Sequence, residues 1–467
     1  MFGPTSDNYD SERYDYDEDN NVISVVDLQK QETKYEYENN NLTAEVLPNG
    51  ARMEYTYDDY HNVKTATTDT GIVYSFEYDT FGNNTKVSIT KDGVAISSSA
   101  EYSSDGNRLV SATDATGKVT TYQYNEDTNV LEWVKYPEDT DTTKTTYTYD
   151  NMYRMATAAA STDTGLSLSA SYTYADDLLT RIQTAKTAYD FAYGNFSLRS
   201  NIKIGSRTLA SYTYTEQDNY LSSLDYGNDD KVQYTYDDQG RVTKQTYEDG
   251  ATVEYRYDND GALATVTDSA TGRITTYYYD FIDRMMKYVE TGSGYSHTVG
   301  YEYDTINNLT KLVETINGTE YETSYTYDND NRVTKVDTGN ANKNYTYDDF
   351  GRVSQQVTKH GDSTVKTDAF SFTAPSITST DDTITGFTSS QVSSHTIDTA
   401  GYDKTFAYTY DDNGNILSIS DGTNTISYVY DSANQLIRET YYTENDNSKT
   451  EYAHPSMTCP SLSEQSR

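Results

Sequence analysis

Three Asp-Thr-Gly triplets are the strongest candidates for chemistry in this chain: Asp69-Thr70-Gly71, Asp163-Thr164-Gly165 and Asp337-Thr338-Gly339. Peptide hydrolysis by such triplets needs two carboxylates sharing one proton, so that one acts as base and the other as acid. Each triplet here falls at a repeated turn position, aligned with Glu248–Gly250, and lacks the apolar strand that should precede it. Asp and Gly are ordinary turn residues, so the triplets read as turns. Asp15, Asp17 and Asp19 have the spacing of a calcium loop, but Asn20 and Val26 occupy its glycine and glutamate positions, and the loop fails. His61, His297, His360, His395 and His454 show no metal-ligand spacing. Cys459 is the only cysteine, so no disulfide forms within the chain, and a Cys-His nucleophile would have to use the last few residues. No phosphate-binding glycine loop is present. The reading is no catalytic, cofactor-binding or metal-binding residue, and no enzyme.

The elements that carry these residues are harder to place from composition. Formal net charge is -39 and hydrophobic content 34%, which is the balance of a disordered chain. Fifty tyrosines argue against disorder, because disordered chains are poor in aromatics and Tyr favours strands. The acidity disfavours nucleic acid, which needs a basic face, and leaves weak, nonspecific cation binding. No apolar run is long enough for a membrane span, and the first twenty residues do not have the form of a signal peptide.

Tyrosine placement supplies the order. The phrase Tyr-x-Tyr-Asp-x-x-Gly recurs, with its second aromatic at Tyr16, Tyr37, Tyr57, Tyr78, Tyr102, Tyr124, Tyr149 and Tyr174, then Tyr193, Tyr214, Tyr236, Tyr257, Tyr279, Tyr303, Tyr327 and Tyr347, and again at Tyr410 and Tyr430. A degenerate copy lies at Phe370–Thr373, inside a Ser/Thr-rich irregular insert at about 359–405 that reads either as an inserted loop or as longer strands. Each period holds two turns, such as Asp237–Gly240 and Tyr247–Gly250, and two short strands. The strand before each Tyr pair alternates with period two, as in Ile72, Tyr74, Phe76 and Tyr78, which predicts one covered and one wet face.

About 36 such strands at ~4.8 Å would make a ribbon roughly 170 Å wide, and open sheets of more than ~10 strands curl or split. The expectation is an all-β antiparallel meander coiled into a spiral, partly hollow wall. Tyr, with an apolar ring and a hydroxyl needing a partner, suits a face toward a roomy, partly wet cavity. Open strand edges are expected near Tyr14–Tyr16 and Tyr428–Glu439, and should recruit other chains once salt screens the charge.

The repeat resembles the YD repeat of the RHS (rearrangement hot spot) family over about residues 14–440. The residues that carry the resemblance are Tyr234, Tyr236, Asp237, Gly240 and Arg241; Tyr255, Tyr257, Asp258 and Gly261; Tyr345, Tyr347, Asp348, Gly351 and Arg352; and Tyr408, Tyr410, Asp411 and Gly414. On that resemblance, residues 1–440 are an array of about eighteen repeats and residues 441–467 a disordered or aberrant tail. The resemblance implies an incomplete β-shell, a structural scaffold that encloses a toxin or mediates cell-surface contact, on an extracellular or cell-surface protein. Its partners would be a C-terminal core or toxin domain, or a surface glycan, with no nucleic acid, membrane span or cofactor. The family's plug-like core phrases are missing, which suggests a truncated chain. The alternative is an extracellular carbohydrate- or cell-wall-binding adhesion module, since rows of aromatics can stack on sugar rings. Such modules use Trp heavily, whereas Trp133 stands alone.

Overall fold

The computed structural model describes residues 12–27, 30–161, 167–228, 230–376, 383–430, 434–443 and 448–453. Among the described residues forty strands form one sheet, from β1 (Arg13–Tyr16) to β40 (Ser448–Ala453). Consecutive strands pair antiparallel throughout, with one exception: β34 (Gly386–Phe387) leaves the meander and pairs parallel with the start of β9 (Val94–Tyr102).

Register places the tyrosines on one face. In β21 (Lys231–Tyr236) Val232 stands opposite Tyr247 and Tyr234 opposite Gln245. Residues between the tyrosines point the other way and form polar cross-strand pairs. Thr56 meets Thr65 and Thr148 meets Thr157, both at 2.6 Å, while Lys86 meets Glu77 at 3.1 Å. Directly opposite pairs of this kind stabilise a sheet by a few tenths to about 1 kcal/mol each.

The ribbon coils. Contacts return at separations of 274, 275, 280 and 292 residues, through Asp412–Glu138, Glu138–Asn413, Asn49–Asn329 and Thr385–Gly93. β34 thus lands on a strand one full turn earlier. Twenty-five strands separate β9 from β34, so one turn is about 120 Å around and about 38 Å across. Barrels of ~8 strands are filled by their own side chains, and those of 16 or more leave a channel. This coil is therefore hollow. Its accessible surface, 29427 Å², agrees, because a compact protein of 52.6 kDa would expose only about 17,600 Å². Buried apolar side chains are few and small, such as Ala44, Ala95, Val134 and Val299.

One alternative is decided and two expectations are corrected. The region 359–405 is mostly long strand: β32 (Val353–His360), β33 (Ser363–Phe372), β35 (Val392–Thr399) and β36 (Tyr402–Tyr410). The inserted loop is confined to the stretch between β33 and β35, which reaches across to the neighbouring turn of the coil. Strand pairing also continues beyond residue 440, as β39 (Leu436–Thr443) pairs with β40. Residues 454–467 of the expected tail lie outside the described residues. Tyr428–Glu439 is not an open edge, since Tyr428 pairs with Glu439 and a further strand covers β39.

Candidate functional site

The recurring unit of this molecule is the junction between repeats, and every residue of Tyr-x-Tyr-Asp-x-x-Gly-Arg-Val has a place in it. Asp237 opens a tight loop. Its Oδ1 accepts the backbone N–H groups of Gln239 (3.0 Å) and Arg241 (2.9 Å), and its Oδ2 accepts Arg241 Nε at 2.7 Å. Gly240 N–H donates to Asp237 O, and Asp237 N–H to Arg241 O. This is a hairpin loop that ends on a left-handed residue, and Gly240 supplies it at φ 78°.

The same loop recurs at Asp58, Asp79, Asp150, Asp280, Asp304, Asp328, Asp348 and Asp411, with Asn or Arg four residues on as the side-chain donor. The Asp58 and Asp79 carboxyls are held below their usual range, first by the amides of Asn62 and Asn83. At Asp237 partial burial pushes the carboxyl up, and the hydrogen bonds from Arg241 outweigh it. Where the glycine is missing, other residues take positive φ: His61 (65°), Tyr153 (59°), Asp283 (63°) and Asn331 (61°).

Arg241 also reaches the next repeat, its guanidinium lying 4.4 Å from the ring centre of Tyr257. Arg154 over Tyr174, Arg284 over Tyr303 and Arg332 over Tyr347 repeat the contact. Tyr257 in turn donates its hydroxyl to Val242 O at 2.9 Å. Among the described residues thirteen second tyrosines make this bond to the preceding repeat, at 2.7–3.0 Å. The hydroxyl expected to face a wet cavity is thus committed to the wall itself. First tyrosines such as Tyr234 and Tyr255 have their phenols pushed up by burial and by surrounding tyrosines.

Asp237, Gly240 and Arg241 thus meet Tyr257 at one junction, whereas Tyr236 bonds Leu221 O in the junction before. Likewise Tyr347 bonds Val333 O and Tyr410 bonds Val392 O in the preceding junctions, while Asp348 with Arg352 and Asp411 with Asn415 hold the loops that follow. At the degenerate copy, Phe372 takes the tyrosine's place and Arg352 stacks on it at 3.9 Å. Arg352 also donates to Ser389 O and Thr388 Oγ1 in the inserted loop. That loop closes the seam: Thr385 N–H donates to Gly93 O (2.7 Å) and Thr388 N–H to Ala95 O (2.9 Å).

The chemical candidates disperse. Gly71 and Gly339 take φ 82° in turns, and the Asp337 carboxyl is lowered by Lys335, 2.6 Å away. A shared-proton pair needs one carboxyl raised. Asp163–Gly165 lies outside the described residues. Asp17 is a loop aspartate bound to Asn21, and Asp15 pairs with Arg13. Among the described residues no group of three or more metal-binding side chains converges.

Four ion-pair groups on the tyrosine face were not anticipated: Arg273–Glu290 (2.8 Å), His297–Glu314 (2.7 Å), Asp368 with Lys366 (2.9 Å) and His395 (2.8 Å), and Lys404–Asp421 (3.0 Å). Several were legible in the period-two alternation, since Lys366 and Asp368 share the face of Phe370, and Lys404 that of Tyr408. Their pairing across strands was not.

Two family models match, one described as RHS Repeat over residues 236–274 and one as Teneurin YD-shell over residues 5–130. Residues 5–130 and 236–274 thus carry the RHS/YD-shell repeat. A comparison with curated protein sequences finds no match. Among solved structures, this chain is similar to one titled "Crystal Structure of TcdB2-TccC3-Cdc42", at 12% identity and TM-score 0.42, covering 95% of this chain and 31% of that one. It is also similar to the Photorhabdus luminescens Tc holotoxin pore with mutation TccC3-D651A, at 13% identity and TM-score 0.41, covering 95% of this chain and 30% of that one. The chain spans about a third of the length of the solved chains it matches.

Proposed function

We propose that this chain is the wall of a hollow RHS shell that encloses a polypeptide, a C-terminal toxin domain in the family's usual arrangement, with the tyrosine face toward the lumen. The observation that carries the reading is the coil itself: contacts that return after 274–292 residues around a space too wide for the wall's own side chains to fill. The family assignment supports it. A wall whose second-tyrosine hydroxyls are tied to neighbouring repeats and whose charged groups are paired offers little for sequence-specific hydrogen bonding, which suits an enclosed chain without sequence preference. The display of such a shell outside the cell is part of the proposal.

A glycan-binding module needs aromatic rings free to stack on sugars, and the stacked arginines and bonded hydroxyls of the second tyrosines work against that. The test is protease protection in the full gene product that contains this wall. The enclosed segment should survive digestion while the wall is intact and be cut once the wall is melted. Equal digestion in both states would refute enclosure, and specific retention on a glycan array would favour adhesion.

A further inference from the structure

At four joints of the wall an arginine covers the ring of a second tyrosine: Arg154 over Tyr174, Arg241 over Tyr257, Arg284 over Tyr303 and Arg332 over Tyr347. In each, the residue after the arginine (Met155, Val242, Met285 or Val333) accepts the tyrosine hydroxyl through its carbonyl. At the joint of Tyr236 the same position holds a tyrosine. Tyr236 donates its hydroxyl to Leu221 O at 2.8 Å, and Tyr220, the residue before Leu221, packs its ring on that of Tyr236, with centres 5.0 Å apart and planes at 38°.

Tyr220 is fixed there. Its N–H donates to Thr215 Oγ1 at 3.0 Å, and its carbonyl accepts Thr215 N–H at 2.8 Å. Its hydroxyl lies against Gly240 of the next loop, where an added Cβ would come 2.5 Å from it. The ring is also accessible, because Tyr220 is 37% exposed while Tyr236 is half-buried. One other tyrosine pair is in ring contact among the described residues. Tyr277 and Tyr288 are wider apart, at 6.3 Å, and both are half-buried.

An arginine on a phenol is a non-covalent contact, whereas two phenols in contact can be joined. We propose that Tyr220 and Tyr236 form an oxidative cross-linking site, at which a peroxidase with hydrogen peroxide converts the pair to dityrosine and staples neighbouring repeats. Each phenol gives up one electron and one proton and becomes a phenoxyl radical, the accessible Tyr220 first. The radicals join through one ortho carbon of each ring. The hydrogens on those carbons then move to the oxygens and restore both hydroxyls. The peroxide takes up the two electrons and two protons and leaves as two waters. Coupling needs ring edges that touch, and a tilted pair at 5.0 Å is within aromatic contact. The product closes residues 220–236 into a covalent loop across a repeat boundary. Such a link removes freedom from the unfolded chain at a joint on which the array depends for neighbour contacts. The site does not depend on what the wall encloses.

The experiment treats the purified chain with a peroxidase and excess hydrogen peroxide, then maps linked peptides in the monomer by mass spectrometry. The Tyr220 and Tyr236 peptides should appear joined, two hydrogens lighter than their sum. Tyr220→Arg installs the side chain of the other joints, and Tyr220→Phe keeps a stacked ring that cannot couple. Both should lose this link, with circular dichroism unchanged. Tyr60→Phe, at a site 80% exposed, should keep it. The linked chain should unfold at a higher urea midpoint than the untreated one, and treated Tyr220→Phe should show no such rise. Absence of the link would overturn the proposal. So would preferential linkage of Tyr220 to Tyr226, which is nearer in sequence and 49% exposed, since flexibility rather than the ring pair would then choose the partner. An unchanged midpoint in the linked chain would overturn the staple.

Discussion

The hydroxyl of Tyr257 donates to the carbonyl of Val242, 2.9 Å away across the boundary between two repeats. Val242 is the residue immediately after Arg241, whose guanidinium covers the same tyrosine ring. Asp237 orients Arg241, Gly240 lets the loop close, and the loop delivers the carbonyl. The nine-residue phrase Tyr234–Val242 is therefore one interlocking joint, and the tyrosine two strands further on is its pin.

Removing the pin's hydroxyl has a defined cost. Tyr257→Phe should destabilise the array by about 1–1.5 kcal/mol, because the half-buried Val242 carbonyl loses its partner. Tyr278→Phe, on a side chain 48% exposed, should change nothing measurable. Urea unfolding of the two variants checks this. Equal stability would mean that water replaces the tyrosine at no cost.

Arg241 separates into two effects. Arg241→Asn should keep the bond to Asp237 Oδ2, as Asn62 and Asn83 do in their own loops, and lose the stack on Tyr257, at roughly 0.5–1 kcal/mol, together with the exposed bond to Gln239 Oε1. Arg241→Ala should cost about 1 kcal/mol more, because the carboxylate loses its side-chain donor. A smaller loss for alanine than for asparagine would refute this division.

Tyr153 sits at φ 59° with its side chain exposed. A left-handed conformation costs a residue with a Cβ roughly 1–2 kcal/mol, and glycine avoids most of that. Tyr153→Gly should therefore raise stability by about 1 kcal/mol, measured as a higher urea midpoint with an unchanged slope.

Acid should act in two stages. The loop carboxyls at Asp58, Asp79 and Asp150 are lowered, first by the side chain four residues on, and Asp105 is lowered to about 2, first by Ser103. A carboxyl lower in the folded state stabilises fully above its unfolded value, and that stability is lost as pH falls through the folded value. Between neutral pH and about 4.5, relief of repulsion from the net charge of -39 should raise stability. Between about pH 4 and 2 the loops should fail. Dilute thermal melts across this range should show a maximum rather than a monotonic fall.

The seam can be opened without melting strands. Arg352→Ala removes the bonds to Ser389, Thr388 and Asp348 and the stack on Phe372. Hydrogen exchange should rise at Val94–Ala95, where β34 docks, and the radius of gyration in solution scattering should increase while far-UV circular dichroism stays constant. Unchanged exchange there would mean that β34 docks without Arg352.

Much of this wall was legible along the chain because its rules are local. Period-two placement of Tyr74, Phe76 and Tyr78 determines strand and face. Asp237 and Gly240 determine the loop through bonds that span four residues, so the meander and its spacing needed no tertiary information. Other features were decided only by the fold. The partner of each tyrosine hydroxyl lies 14 to 19 residues away and depends on the bulge beside it. The ion pairs of Asp368 with His395 and of His297 with Glu314 depend on cross-strand register. The seam joins residues 274 to 292 apart through a handful of turn contacts. Its position is set by twist accumulated over some twenty-five strands, and a small angle per strand pair, summed that many times, is written in no single repeat.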